Sequence, residues 1–251
     1  MSRIKKLCGL VVLLLLVTVA AVFGAVSDAS VFQDFNRVLF VKAEQGGIAS
    51  EHHMADQYFG FNCHTNSGNG LFILENAFRG TPYLTNVLSG RTVGNGVYQG
   101  QSLNGGGFLS PDLNYEGDQI VFSWTTGSNS YTWNQSTTYH VFKCNLDGSG
   151  LTELTSGSEN DIHPAWMPDG RIIFISERRG GDGRCHQRPC PTFTLHTMDN
   201  DGSDIRCISY HETNEWWPAI DNFGMVVYTR WDYVDRGATH THSAWITKPD
   251  A

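Results

Sequence analysis

Cysteine and histidine residues gather in the segments that separate the apolar stretches of this chain. His186 lies between Cys185 and Cys190, and His211 and His240 lie in later segments of the same kind. Thiolates and imidazoles are ligands that zinc and other transition metals accept. The set Cys185, His186, His211 and His240 is therefore a candidate zinc or other transition-metal site. The spacing matches no established ligand pattern, and the two cysteines can instead form a local disulfide, so both interpretations stand.

A second group of residues could bind a ligand. The stretch Arg230–Arg236 alternates arginine, aspartate and aromatic residues, and tryptophan and glutamate precede it. Guanidinium and carboxylate groups recognise charged partners through paired hydrogen bonds, and an indole can stack on a sugar or a peptide. The predicted ligand-binding residues are Arg230, Asp232, Arg236, Trp216 and Glu212. The alternative is structural, with the arginine and aspartate side chains paired to each other and the neighbouring tryptophan packed between structural repeats.

The sequence has none of the motifs that would identify a reaction. It has no Gly-x-Ser-x-Gly, no phosphate-binding loop, no His-Glu-x-x-His and no Cys-x-x-Cys-His for haem attachment. Carboxylates near the histidines are compatible with general acid–base chemistry but do not imply it. Catalytic residues are therefore unassigned, and the question of an enzymatic activity stays open.

A repeat of about 54 residues must position these side chains. Three segments align, namely Leu109–Ser123, His163–Ser176 and Trp217–Thr229. Their prolines, Pro111, Pro164 and Pro218, are 53 and 54 residues apart. Tyr139–Thr155 also matches Phe193–Ser209 at a spacing of 54. Agreement in two separate parts of the repeat indicates a repeated structural unit.

Each repeat predicts four short antiparallel strands. Asp-Gly pairs mark tight turns, so Gly170 and Gly202 are predicted to have positive φ. The runs Ile172–Ile175 and Val226–Tyr228 are β-branched and aromatic and too short for helices. Four-stranded units of this length predict an all-β fold, a β-propeller, because one such sheet cannot bury both of its faces alone.

About four units, called blades, are expected, at roughly 31–106, 107–156, 157–212 and 213–251. A closed propeller needs about four to eight complete blades, and the last unit stops where an Asp-Gly turn is expected. The ring is therefore predicted to be incomplete, with a fragment and closure by association as the two alternatives. In this topology the loops after Ser123, Ser176 and Thr229 emerge on the same side as the links before the prolines. The candidate metal and ligand residues are therefore predicted to meet there, around the mouth of the axial channel, where loops on a rigid scaffold carry function.

The N-terminal segment has the pattern of a secretory signal. Arg3, Lys5 and Lys6 precede the apolar run Leu7–Phe23, and small residues follow it. We expect a signal peptide over residues 1–25, a periplasmic or secreted mature chain and no stable membrane insertion after cleavage. The alternative is an uncleaved membrane anchor. The formal net charge of -8 without a basic stripe argues against nucleic acid as a partner.

Several phrases of the sequence resemble known propellers. Pro164–Arg179 resembles the repeat of periplasmic propellers of the TolB type. Gly183–Thr192, Tyr210–Trp216 and Tyr228–Arg236 are similar to a family of exported bacterial proteins related to the alpha subunit of hydrazine synthase, over about residues 36–250. The resemblance implies the propeller region only. The leading functional hypothesis is an exported binding or scaffold propeller that presents a face lined by His, Arg, Asp and Trp to an unidentified protein or small molecule. The alternative is a metal- or haem-associated redox domain of a larger polypeptide. The haem-attachment motifs of hydrazine synthase do not occur in this chain.

Overall fold

Short β-branched and aromatic runs separated by glycine-rich turns set the architecture. The computed structural model describes residues 36–42, 68–126, 138–181, 192–232 and 242–250, and over these ranges it contains strands and no helix. None of these residues therefore forms a helix long and apolar enough to cross a membrane. The predicted signal peptide and the site candidates Cys185, His186, Arg236 and His240 lie outside the described residues.

The described residues form fourteen strands, which we number in chain order. They are β1 (Arg37–Lys42), β2 (Gly70–Glu75), β3 (Tyr83–Asn86), β4 (Gly107–Leu113), β5 (Gln119–Thr125), β6 (His140–Asn145), β7 (Thr152–Glu153), β8 (Asp161–Trp166), β9 (Ile172–Ser176), β10 (Thr194–Met198), β11 (Arg206–Cys207), β12 (Glu215–Ile220), β13 (Val226–Trp231) and β14 (His242–Thr247).

Consecutive strands form four sheets, β1–β3, β4–β7, β8–β11 and β12–β14, each in sequential order. The register is antiparallel throughout the three later sheets. The all-β prediction is therefore confirmed, as is the prediction that short strands follow one another in antiparallel units.

The chain divides into two compact units. The smaller contains Met1–Val38 and Glu75–Tyr83, and in it Arg37 contacts the Glu75 carboxylate through two nitrogens at 3.0 and 2.8 Å. The larger contains Leu39–Leu74 and Leu84–Ala251 and includes the three later sheets. All the features described below belong to the larger unit.

The first strand of each later sheet contains the same bulge. The register shifts between Leu109 and Asp112 in β4, and shifts of the same kind interrupt β8 and β12. The residue before the proline has positive φ in each strand: 45° at Ser110, 54° at His163 and 48° at Trp217. Such values are uncommon away from glycine, so their recurrence with the proline spacing shows that the bulge is a property of the repeat.

Neighbouring sheets pack through apolar side chains. One cluster joins Val121 and Val141 of the β4–β7 sheet to Phe174 and Met198 of the β8–β11 sheet. Another brings side chains of the β8–β11 and β12–β14 sheets together, including Trp231. Each large side chain that is fully buried contributes about 1.5–3 kcal/mol. Burial between sheets therefore supplies the core that one sheet alone cannot form.

Asparagine side chains join one sheet to the next. Asn160 Oδ1 accepts the backbone N–H of Tyr139 at 2.8 Å, and Asn214 Oδ1 accepts that of Phe193 at 2.7 Å. The residue after each asparagine donates its own N–H to the carbonyl of the same partner, at 2.8 and 3.0 Å. These two bonds fix where the first strand of one sheet begins relative to the third strand of the preceding sheet.

The turn glycines confirm the predicted positive φ. Gly170, between β8 and β9, has φ of 85°, and Gly202, between β10 and β11, has φ of 86°. The two differ in their surroundings. A Cβ on Gly170 would meet nothing within 4 Å, whereas one on Gly202 would lie 2.4 Å from the Leu154 carbonyl oxygen in the preceding sheet.

We therefore expect Gly202→Ala to destabilise the protein more than Gly170→Ala. Alanine at Gly170 carries only the left-handed backbone penalty, about 1–2 kcal/mol. Alanine at Gly202 adds a collision with backbone atoms of the neighbouring sheet. Chemical denaturation of both variants measures the difference, and equal losses of unfolding free energy would contradict the described contact between the turn and Leu154.

Asn214→Ala should lower the free energy of unfolding by about 1–3 kcal/mol, because the Phe193 N–H loses its buried acceptor. Asn145→Ala is the matched control, since the Asn145 side chain bonds Ser149 at an exposed turn. Thermal melts of both variants test this expectation. A control that melts as low as the Asn214 variant would contradict a special role for the junction.

Candidate functional site

Polar side chains meet at the edge where β8 and β12 begin. Asp161 pairs with Ser176 across β8 and β9, and Ser176 pairs with Thr194 of β10. The N–H of Glu215 bonds the carbonyl of Phe193, next to Thr194, so β12 begins at the same edge. We call this edge the loop face and define it by Asp161, Arg178, His211, Glu215, Arg230 and Asp232.

Asp161 is fully buried and holds the first ion pair of the loop face. Arg178 contacts both of its oxygens, with Nε at 3.1 Å and Nη2 at 2.6 Å, and Ser176 Oγ donates to it at 2.6 Å. Burial alone would raise the pKa of Asp161. The effects of His140, Arg178 and Ser176 outweigh burial and hold the pKa below its usual value. The carboxylate is therefore charged at neutral pH.

Glu177 is the adjacent buried acid, and the sequence did not single it out. Its oxygens accept the Asn160 backbone N–H at 3.0 Å and the Asn160 side-chain amide at 3.1 Å. Burial raises its pKa to about 8; the Asn160 hydrogen bonds oppose this shift, and the charges of Asp161 and Glu159 add to it. Glu177 therefore carries a proton at neutral pH, beside an asparagine that joins two sheets.

Arg230 and Asp232 form the second ion pair of the loop face. Arg230 Nε and Nη2 contact the same Asp232 oxygen at 2.9 and 2.8 Å, and the guanidinium carbon lies 3.3 Å from the Trp245 ring centroid. This is the internal Arg–Asp pairing that the structural interpretation anticipated, made to one oxygen rather than two. Stacking on the indole fixes the plane of the guanidinium, so the pair is held rigidly at the loop face.

His211 lies beside this pair. Its Nε2 is 3.8 Å from Asp232 Oδ1, 2.8 Å from the Trp231 carbonyl oxygen and 3.0 Å from Thr213 Oγ1. A carbonyl accepts only, so Nε2 carries the proton and Nδ1 is the nitrogen able to ligate a metal. In the described ranges no three His, Cys, Asp or Glu side chains are grouped so that they could hold a metal ion. Metal binding by Cys185, His186, His211 and His240 stays a prediction.

The structure brings together three predicted site residues, His211, Arg230 and Asp232. Glu212 follows His211 in the same link and is partly buried. Trp216 is 8% exposed, belongs to the core and meets the His242 ring edge-on at 5.7 Å. Its location supports a packing role, and its role in ligand binding stays a prediction.

Comparison with known proteins relates the fold to that of hydrazine synthase. No protein-family model matches the chain. A stretch of 44 residues is 43% identical to dipeptidyl-peptidase 5 of Porphyromonas gingivalis, which is 18% of this chain and 6% of that protein. Hydrazine synthase of Kuenenia stuttgartiensis superposes with a TM-score of 0.58 at 12% identity, over 86% of this chain and 30% of that one. A putative TolB of Agrobacterium tumefaciens gives 0.47 at 17% identity, over 72% and 53%.

The hydrazine synthase superposition agrees with the fold that the resembling sequence phrases implied. At 12% identity it shows the fold alone. The chain spans less than a third of that hydrazine synthase chain and a small fraction of the peptidase.

We expect Glu177→Gln to change the melting temperature in a pH-dependent way. The folded-state pKa of about 8 exceeds the ordinary 4.5, so the stability that protonated Glu177 contributes is complete below pH 4.5 and is lost as pH rises to about 8. Glutamine cannot ionise, although its amide nitrogen cannot accept the second Asn160 hydrogen bond. The melting temperature of the variant relative to that of the natural chain should therefore rise by several degrees from acidic to alkaline pH.

Calorimetry of both chains across this pH range tests the expectation. Glu116→Gln is the matched control, because Glu116 is exposed. A difference that is constant with pH, or one that the control reproduces, would contradict a raised pKa at Glu177.

Proposed function

We propose that this chain is an exported β-propeller scaffold that presents the loop face to a protein partner or a small charged ligand. The observation that carries the proposal is the pair of rigid ion pairs, Asp161–Arg178 and Arg230–Asp232, on adjacent sheets at one edge. Ion pairs already held in place need little ordering on binding, so their hydrogen-bonding capacity favours recognition. The tight Asp-Gly turns at the opposite edge offer less room for a site.

The four sheets are, in this proposal, consecutive blades of a propeller that further blades complete. The support is the asparagine junction repeated at a spacing of 54 residues, together with the hydrazine synthase fold likeness. A junction that recurs with the same bonds adds each sheet in the same orientation, which is how a propeller grows. Export is proposed on the signal-like pattern of residues 1–25 alone.

The remaining candidates extend the same face. Glu212 adds a carboxylate next to His211, and Arg236 and Trp216 complete the predicted ligand-binding set. A transition metal at Cys185, His186, His211 and His240 would add a Lewis-acidic centre, with His211 contributing Nδ1. Scaffold binding needs no such metal, and so the two halves of the proposal can be tested separately.

Neutralising one acid of the loop face should weaken partner capture. The mature chain, immobilised and exposed to envelope extract of its source organism, is compared with Asp232→Asn and with Asp169→Asn. Asp169 lies in the turn at the opposite edge and supports it by accepting the Arg171 N–H at 3.0 Å, which asparagine also does. We expect Asp232→Asn to lower recovery of a specific protein at least about fivefold, equivalent to about 1 kcal/mol.

Asp169→Asn should leave recovery unchanged, and equal melting temperatures of the three chains show that folding is not the cause. If both variants recover the same proteins as the natural chain, or if no protein is recovered specifically, binding of a protein partner by the loop face is wrong. Elemental analysis of the same preparation tests the metal separately.

A further inference from the structure

A cleft of about 400 Å³ opens between the first strands of the three later sheets. Its walls are equivalent parts of the repeat, Pro111 on β4, Pro164 on β8 and Pro218 on β12, which are the prolines that follow the bulges. The cleft also reaches Tyr115 in the turn after β4, so it lies toward the Asp-Gly turns and away from the loop face. Its volume lies within the range of small-molecule sites, about 300–1,000 Å³.

Asp112 alone among the described residues that line this cleft carries a formal charge. Its Oδ2 accepts the Trp166 backbone N–H at 2.7 Å, and no described lysine, arginine or histidine forms an ion pair with it. Burial raises the pKa of Asp112 more than the backbone hydrogen bonds of Trp166 and Leu113 lower it. A partly buried carboxylate without a cation is unfavourable in the empty protein, and a bound cation would relieve that cost.

The repeat itself shows that the fold does not require this carboxylate. The residue after the proline is Asp112 in β4, Ala165 in β8 and Ala219 in β12, and all three pair with β-branched residues of the next strand. Two of the three equivalent strands therefore form the same bulge with alanine. The one aspartate at this repeated position, Asp112, is among the residues that line the cleft.

The rest of the lining suits the apolar body of a ligand. Three prolines, two alanines, Leu113 and Ile220 form most of the wall. The exposed Tyr115 contributes aromatic surface, whereas the Trp166 side chain packs in the core. Tyr115 is affected by the nearby acid, because partial burial and then the Asp112 charge raise its pKa. Aromatic faces beside a carboxylate attract organic cations through both the ring and the charge.

We propose that this cleft binds a small organic ammonium or guanidinium compound, with its cation paired to Asp112 and its apolar body against the prolines and Tyr115. The ligand class follows from the single negative charge and the apolar walls, and the small size follows from the volume. This site is independent of the proposed loop-face function, since the two lie at opposite ends of the same strands.

Calorimetric titration of the mature chain with benzylamine and with benzyl alcohol, at about pH 8, tests the proposal. The two probes match in shape and differ in charge. We expect benzylamine to bind at least about tenfold more tightly than benzyl alcohol. Asp112→Asn, which keeps an acceptor for the Trp166 N–H, should abolish that difference, and Asp118→Asn in the neighbouring exposed turn should keep it.

A second variant tests the location without changing charge. Ala219→Leu fills the cleft from β12 and should weaken binding of both probes, while its unchanged melting temperature shows that the sheet still forms. Equal affinity of the natural chain for the two probes, no binding of either, or a preference for benzylamine that survives Asp112→Asn would each overturn the proposal.

Discussion

The asparagine at the junctions before β8 and β12 sets the geometry of the loop face. In an isolated sheet the N–H before the third strand would point away from its own ladder, where it needs an acceptor from outside. Asn160 and Asn214 supply that acceptor from the next sheet, and their following residues return a backbone bond. The first strands of the last two sheets, β8 and β12, therefore begin at a fixed height relative to the sheet before them. Asp161 and Glu215 directly follow the two asparagines, so the same bonds fix where their carboxylates lie.

The two sheets place different polar and charged residues at equivalent positions of this edge. Glu215 occupies the position of Asp161, Arg230 that of Ser176, and Asp232 that of Arg178, each 54 residues later. The arginine lies beyond the end of the second strand in the β8–β11 sheet, as Arg178, and within the second strand of the β12–β14 sheet, as Arg230. In the β12–β14 sheet Asp232 occupies the position that corresponds to Arg178. Both arrangements leave an arginine bonded to an acid at the same edge. The scaffold therefore fixes three equivalent positions: the first is acidic in both sheets, and the charge at the other two differs between them.

Local signals in the sequence predicted the repeat, the turns and the all-β fold, because proline, Asp-Gly pairs and β-branched runs act within a few residues. The burial of particular side chains could not be predicted in that way. Trp216 and Trp217 are adjacent and identical in type, yet one is 8% and the other 56% exposed, since only the neighbouring sheet decides which side is covered. Glu177 depends on Asn160, a partner 17 residues away. Asp112 could have been recognised, because the aligned repeats have alanine at its position.

The bulge before each proline accommodates serine, histidine and tryptophan at one structural position, Ser110, His163 and Trp217. These side chains differ several-fold in size, and Trp217 stacks on His163 with ring centroids 5.1 Å apart. The residue in the bulge takes no part in the regular hydrogen-bonded pairing of the strand, so side chains of different size fit at its position. In the three repeats the bulge and the proline are therefore the same, whereas the residue before the proline differs. Duplication of such a unit therefore supplies one position on the first strand of each later sheet at which the side chain can change, whether buried like His163 or exposed like Trp217, without redesign of the sheet.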